Sequence, residues 1–329
     1  MLRWRTLWAA TALCTVPLLW QAYQSACLGQ SACSGSLGDA SGPSFMVDAK
    51  PCNCSSCRVE LTTAVWFKER YDSAICPLLT VHSAEMDPDV LRWWLSLQGS
   101  QGHASLHGII QHIFDIFPSP TMGAPGHSHC RTCAVVGNSG RLKGSRHGQE
   151  IDSHHCVLRM NRAPTVGFEA DVGMRTTHHF MYPESAVDLQ PGTHLVLVPF
   201  KVLDLQWLIS AFSTGQLRYT YRRVKEHIEA DRSKVLIVSP AFLKYIHDKW
   251  TQHHGKYPST GFIALLFALH SCDQLAAYGY GSDSTGTWHH YWEQNRNAGA
   301  FRKTGVHNAT FEFALIKKLA DEGKISFHD

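Results

Sequence analysis

The chain has 329 residues, 44% of them hydrophobic, enough for the core of one large α/β domain or two small ones, so a disordered chain is excluded as the default. A formal net charge of +3 and a pI near 8.3 supply no long-range field that would call for DNA or RNA, which leaves at most a local basic groove for a nucleotide. The 21 histidines are scattered, and since surface imidazoles outnumber catalytic ones, only their spacing selects among them.

Arg3 and Arg5 precede an uncharged, mostly apolar run over 6–23. Positive charge ahead of such a run predicts a signal-anchor helix with residues 1–5 left in the cytosol. The run is slightly short against the roughly 20 residues a spanning helix needs, which suits the thinner bilayers of the early secretory pathway. A cleaved signal peptide ending among the small residues 22–26 is the alternative. Either way the remainder enters an oxidising lumen, where cysteines pair. Residues 24–50, rich in Ser, Gly and Ala, read as a flexible stem, and the folded domain is expected over 51–329.

Helical spacing runs over 66–79 and 89–98, the second entered through Asp87, Pro88 and Asp89 as a capped start. Strand-length apolar runs follow at 134–136, 157–160, 195–199, 235–239 and 275–278. Helical stretches at 205–212, 241–252, 260–270 and 311–320 alternate with them. That alternation predicts the α/β class: a single Rossmann-like domain with a mostly parallel central sheet flanked by helices. No internal repeat is visible.

The 11 cysteines support two readings. Cys52, Cys54 and Cys57, with Cys130 and Cys133 beside His127 and His129, can be drawn as a zinc site, but in a luminal chain disulfides are favoured. Because the total is odd, at least one thiol is left over. Cys14 lies in the apolar run, Cys76 and Cys156 read as buried free thiols, and Cys27 and Cys33 fall in the stem.

Four segments carry chemistry. The first is the strand at 134–136, which feeds directly into Gly137, Asn138, Ser139 and Gly140. A glycine turn there lets a ligand approach backbone amides, although such a sequence is often only a turn. Asn161 follows a second strand, and two parallel strands would bring Asn138 and Asn161 to one sheet edge. Next, Ser259 and Thr260 precede Gly261 and an apolar helix, as N-caps of either an anion site or an ordinary core helix. A strand ending in Gly279, Tyr280 and Gly281 comes after it. Last, His289 to Glu293 and the run from Thr304 to His307, with Glu312 beyond, put imidazoles, aromatics and acids in close order.

These blocks, 133–173, 258–281, 290–293 and 307–312, resemble in order and spacing the large, small, third and very-small sialyl motifs of animal sialyltransferases. The likeness runs from about Cys52 to the C-terminus. It is most detailed for β-galactoside α-2,3-sialyltransferases acting on Galβ1,3GalNAc, through Arg92 to Leu95 with Gln98, Thr177 to His179, Tyr182 to Ser185, and Phe301 to Thr304.

The resemblance implies a GT-A-like variant of the Rossmann-like domain and a Golgi membrane enzyme with its catalytic domain in the lumen. It implies CMP-sialic acid as donor substrate, a galactose-terminated glycoprotein or glycolipid as acceptor, no cofactor and no metal; a homodimer is compatible with it. Position by position it implies His307 as catalytic base, Asn138 and Asn161 as residues holding CMP, and Gly261 and Gly281 lining the nucleotide. Tyr221, Tyr257 and His290 match groups that bond the phosphate, and Gln98 matches a galactose contact. The implied bridges are Cys133 with Cys272, Cys52 with Cys57, and Cys54 with Cys130.

Two positions depart from the family pattern. Asn308, Ala309 and Thr310 form a glycosylation sequon where the family carries an acidic residue, expected to be unused because a glycan would crowd the acceptor. Asn53 opens a second sequon. Arg141 stands in place of an asparagine and is expected to face solvent.

Overall fold

The computed structural model describes residues 54, 64–81, 85–98, 106–120, 130–282, 286–294 and 305–329. The tail, anchor, stem, Cys14, Cys27, Cys33, the Cys52–Cys57 pairing, the Asn53 sequon and residues 301–304 lie outside the described residues. Among the described residues no helix is long and apolar enough to cross a membrane.

Seven strands form one sheet: β1 (Thr132–Val136), β2 (Cys156–Met160), β3 (His178–Met181), β4 (His194–Leu197), β5 (Val235–Ile237), β6 (Gln274–Tyr278) and β7 (Ser326–His328). Their spatial order is β5-β4-β3-β2-β1-β6-β7, and every pair is parallel. The chain therefore steps outward from β1 to β5, then returns and builds β6 and β7 on the other side of β1. The helices are α1 (Val65–Lys68), α2 (Pro88–Ser96), α3 (Leu106–Ile116), α4 (Gly148–Ser153), α5 (Glu169–Val172), α6 (Val202–Ala211), α7 (Pro240–Tyr245), α8 (Thr260–Ser271) and α9 (Ala309–Asp321).

Alternation along β1 divides the core. Cys133 and Val135 join the larger apolar cluster with α8, while Ala134 and Val136 join Ile151, Val172 and Tyr278 on the opposite face. α8 is apolar all round because it is enclosed: Phe262 to His270 are all buried. Disulfides tie this core. Cys133 in β1 is bonded to Cys272 at the end of α8, and Cys54 to Cys130 just before β1. Cys76 and Cys156, read as thiols, are instead both disulfide-bonded, as the oxidising setting favours.

Other expectations also need correction. The helix over 66–79 shrinks to α1, because beyond it the Leu79 amide donates to the Ile237 carbonyl and Leu78 lies antiparallel to Val238, extending the edge of β5. The helix over 241–252 is α7 followed by a π-helical turn, Ile246–Trp250. β3 was missed because His178 and His179 break the apolar run. Burial holds both rings well below their usual pKa, His179 at about 4, so they sit uncharged in the sheet. Arg141, expected in solvent, pairs with Asp329 at 2.7 Å and donates to the Ser282 carbonyl.

β1 and β6 approach each other at their carboxyl ends. The Gly137 amide donates to the Tyr278 carbonyl at 2.7 Å, and the Ser139 amide to the Gly279 carbonyl at 3.0 Å. A Cβ on Gly137 would lie 2.3 Å from the Gly279 oxygen, so this glycine serves strand-to-strand approach. Gly137→Ala should therefore cost about 1–3 kcal/mol by overpacking, read as a lower denaturant midpoint, whereas unchanged stability would show that the turn has slack.

Candidate active site

A cavity of about 1180 Å³ opens at the carboxyl ends of β1, β2 and β6. His307, His290, Gln98, Asn138, Asn161, Tyr221, Tyr257, Gly261 and Gly281 all line it. Side chains from segments far apart in sequence thus face one space, at the point where the strand order reverses and ligands of open α/β sheets usually bind.

The floor is made by the two asparagines. Asn138 follows β1 and its Nδ2 donates to the Met160 carbonyl at 3.2 Å, which draws it to the end of β2. Asn161 sits there with φ of 60°, a left-handed conformation that Asn tolerates better than most residues, and its carbonyl accepts from the His179 ring. The Oδ1 atoms of both asparagines are buried without a hydrogen-bond partner, two unsatisfied acceptors in residues that line the cavity.

The loop over 286–294 closes one wall. Gly140 donates to the His289 carbonyl at 2.7 Å, and Tyr291 donates to the Asn138 carbonyl at 3.2 Å. That pairing places His290 beside the glycine turn. Its ring stacks on Trp292 at 4.5 Å, and its Nδ1 donates to Glu293 at 2.9 Å, leaving Nε2 for another partner.

His307 is set by a different pairing. Lys256 donates to the Val306 carbonyl at 2.8 Å, and Gly255 lies opposite His307 with φ of +86°, where a Cβ would come within 3.0 Å of the Val306 carbonyl and the Asn308 amide. The His307 Nδ1–H donates to the Tyr257 carbonyl at 2.9 Å, which fixes the tautomer with Nε2 as acceptor. Burial lowers its pKa below 6.5, partly offset by that hydrogen bond, so the ring is neutral at near-neutral pH.

Just beyond, Asn308 accepts from the Phe311 amide at 3.0 Å and caps α9. Asn and Asp cap about equally well, so the departure at this position preserves the helix start. Glu312 in the first turn of α9 is fully buried and accepts from the Ser259 amide at 2.8 Å and the Ser259 hydroxyl at 2.5 Å. Ser259 in turn caps α8, so one carboxyl group joins the starts of two helices.

On the opposite wall lies a network the sequence did not single out. Lys201 Nζ donates to Gln98 and to Glu184, each at 3.0 Å, and stands 2.7 Å from Asp204. Gln98 donates to the Tyr257 hydroxyl at 2.9 Å. A chain of contacts thus runs from Lys201 through Gln98 and Tyr257 to His307. Glu184 and Asp204 have fully buried side chains, and burial raises Asp204 to about 6 against the pull of Lys201. The signal was a lone lysine shortly after the carboxyl end of β4, flanked by apolar residues. Tyr221 sits on the rim, two-thirds exposed, with Lys201 Nζ 5.1 Å from its ring centre. Gly261 has room for a Cβ, its nearest neighbours being 3.5 Å away. At Gly281, by contrast, φ is +91° and a Cβ would meet the Phe313 ring at 2.7 Å.

Asp87 accepts from the Asp89 and Val90 amides and so caps α2, and Asp89 pairs with Arg92 at 3.0 Å. Neither carboxylate lines the cavity.

The glycosyltransferase family 29 (sialyltransferase) model matches residues 78–324. The rat CMP-N-acetylneuraminate-beta-galactosamide-alpha-2,3-sialyltransferase 2 is 53% identical over 86% of this chain and 81% of its own length. The chicken alpha-2,3-sialyltransferase 1 is 49% identical over 84% and 82%. The crystal structure of a mammalian sialyltransferase superposes with a TM-score of 0.79 at 46% identity, covering 85% of this chain and 99% of the other. A mammalian sialyltransferase in complex with Gal-beta-1-3GalNAc-ortho-nitrophenol superposes with the same TM-score, 0.79. The chain belongs to glycosyltransferase family 29, the sialyltransferases.

Two outcomes follow from the buried charges. Glu312 titrates at about 7 when folded against 4.5 when exposed, so between those values the native state holds the extra proton and stability falls as pH rises. Glu312→Gln should flatten that slope in denaturant midpoints taken across the same range. Lys201→Met leaves two buried carboxylates without their cation and should cost about 3–5 kcal/mol, read as a lower midpoint.

Proposed function

We propose that this family member transfers sialic acid from CMP-sialic acid to the 3-hydroxyl of a terminal galactose, with Galβ1,3GalNAc on O-glycans or gangliosides as the acceptor class. The observation that carries the reading is His307, which lines the cavity and is held through Nδ1, leaving Nε2 as the acceptor nitrogen. The α-2,3-sialyltransferase names of relatives near half identity support the linkage, and the acceptor bound in the 46% identical structure supports the acceptor class.

In this reading Nε2 of His307 takes the proton from the galactose hydroxyl as its oxygen attacks the anomeric carbon of the sialyl group. The bond from that carbon to the CMP phosphate oxygen breaks on the opposite side, and one displacement inverts the centre. Tyr257, Tyr221 and His290 donate to the departing phosphate, which develops charge as the bond lengthens. Asn138 and Asn161 offer their unpartnered Oδ1 atoms to donors of the cytidine and ribose, beside Gly261 and Gly281. Gln98, braced by Lys201, orients the galactose.

These residues supply the base and the charge stabilisation, so we propose a reaction that needs no metal or cofactor. We also assign the chain to the Golgi membrane as a single-pass protein with a luminal catalytic domain of GT-A-like type over 51–329, after the tail, anchor and stem. Asn308 is expected to stay unglycosylated, because a glycan there would stand beside His307.

His307→Ala should lower turnover of CMP-sialic acid with a Galβ1,3GalNAc acceptor by roughly 10²–10⁴-fold, with CMP binding retained. Near-normal turnover would remove His307 as the base. Because the base acts when neutral and burial lowers its pKa, kcat/KM for the native enzyme should rise with pH on a limb below 6.5 and then level. Activity should persist in EDTA.

A further inference from the structure

Just upstream of Gly255 and Tyr257 the chain runs through an irregular turn. The π-helical segment Ile246–Trp250 is followed by two left-handed non-glycine residues, Gln252 with φ of 48° and His253 with φ of 63°. Both features cost free energy and concentrate where side chains must be aimed. What they bring together is His247, Asp248 and His253, whose ligand-type atoms all lie within 4.8 Å of one another.

The hydrogen bonding of this trio is incomplete. His247 is 6% exposed, and its Nδ1 is buried without a partner. Asp248 gives its Oδ2 to Lys244, which neutralises that cation, while its Oδ1 is buried without a hydrogen bond and lies 3.6 Å from His253 Nδ1. An ordinary Asp248–His253 ion pair would account for the carboxylate alone and leave the buried imidazole nitrogen unexplained. Bonds of about 2.0–2.1 Å at tetrahedral angles put ligands ~3.3 Å apart; Asp248 and His253 at 3.6 Å are near that spacing, and the exposed His253 ring can turn to close the rest of the 4.8 Å span.

We propose that His247, Asp248 and His253 form a site for a divalent transition-metal cation of the zinc type, outside the catalytic cavity. Two imidazoles and one carboxylate favour zinc, cobalt, nickel or copper over magnesium or calcium, and three protein ligands leave one position for solvent. A bound cation would stiffen the turn that leads into Gly255 and Tyr257, the carbonyl that orients His307. It is separate from the transfer chemistry. A second trio, His147, Glu150 and His328, is a less open arrangement, because His147 Nδ1 already hydrogen-bonds Glu150 at 3.0 Å.

The test is a cobalt titration of the full purified chain after chelator treatment, followed by displacement with zinc. The native protein should take up one saturating equivalent with a visible d–d band, and zinc should both bleach that band and raise the thermal midpoint. His253 is 68% exposed at its side chain, so His253→Ala should fold and yet bind at least about tenfold more weakly, with the band and the zinc-induced shift lost. His147→Ala should behave as the native chain. The proposal is overturned if no saturable equivalent binds, if His253→Ala binds as tightly as the native chain, or if His147→Ala is the variant that loses the band.

Discussion

The site depends on one constraint, the close approach of β1 and β6 where the strand order turns back. From β1 the chain moves on toward β2 and from β6 toward β7, in opposite directions across the sheet, and the crevice opens where those directions diverge. Gly137 makes the approach possible, since any side chain there would strike the Gly279 carbonyl. The bond between Cys133 and Cys272 holds the base of the same strand to the helix behind it.

On that edge the site is assembled by backbone pairing more than by side-chain contact. The segment carrying His290 is laid against the glycine turn, and the segment carrying His307 is laid against Gly255 and Lys256. Each histidine then has one nitrogen committed to a fixed acceptor and the other left for chemistry. Glu312 completes the frame by bonding the start of α8 from the start of α9. Its burial carries an electrostatic cost that an exposed carboxylate would avoid, which marks the position as structural support for the residue five places earlier.

The wall around Lys201 works in the same way with charge. Two buried carboxylates and one cation hold Gln98 and, through it, the Tyr257 hydroxyl. Tyr257 therefore serves twice, its hydroxyl on the Gln98 side and its carbonyl on the His307 side. Such a network gives that wall of the cavity a defined shape before any ligand arrives.

By itself the sequence determined the class of fold and most of the cavity lining. Apolar runs of strand length alternating with helical spacing are sufficient for a parallel sheet, and the four ordered blocks marked residues that all reach one cavity. Where local signal failed, tertiary context had overridden it. His178 and His179 look polar yet form β3 because their rings are uncharged in the core, and the stretch through Leu79 looks helical yet completes a sheet edge. Only the tertiary structure decided that the glycine after β1 serves packing, that Lys201 is buried among acids, that Arg141 binds the C-terminal Asp329, and that His307 donates through Nδ1. Each of these rests on a partner at least 50 residues away in sequence or on burial, and neither is encoded in residue type or local spacing.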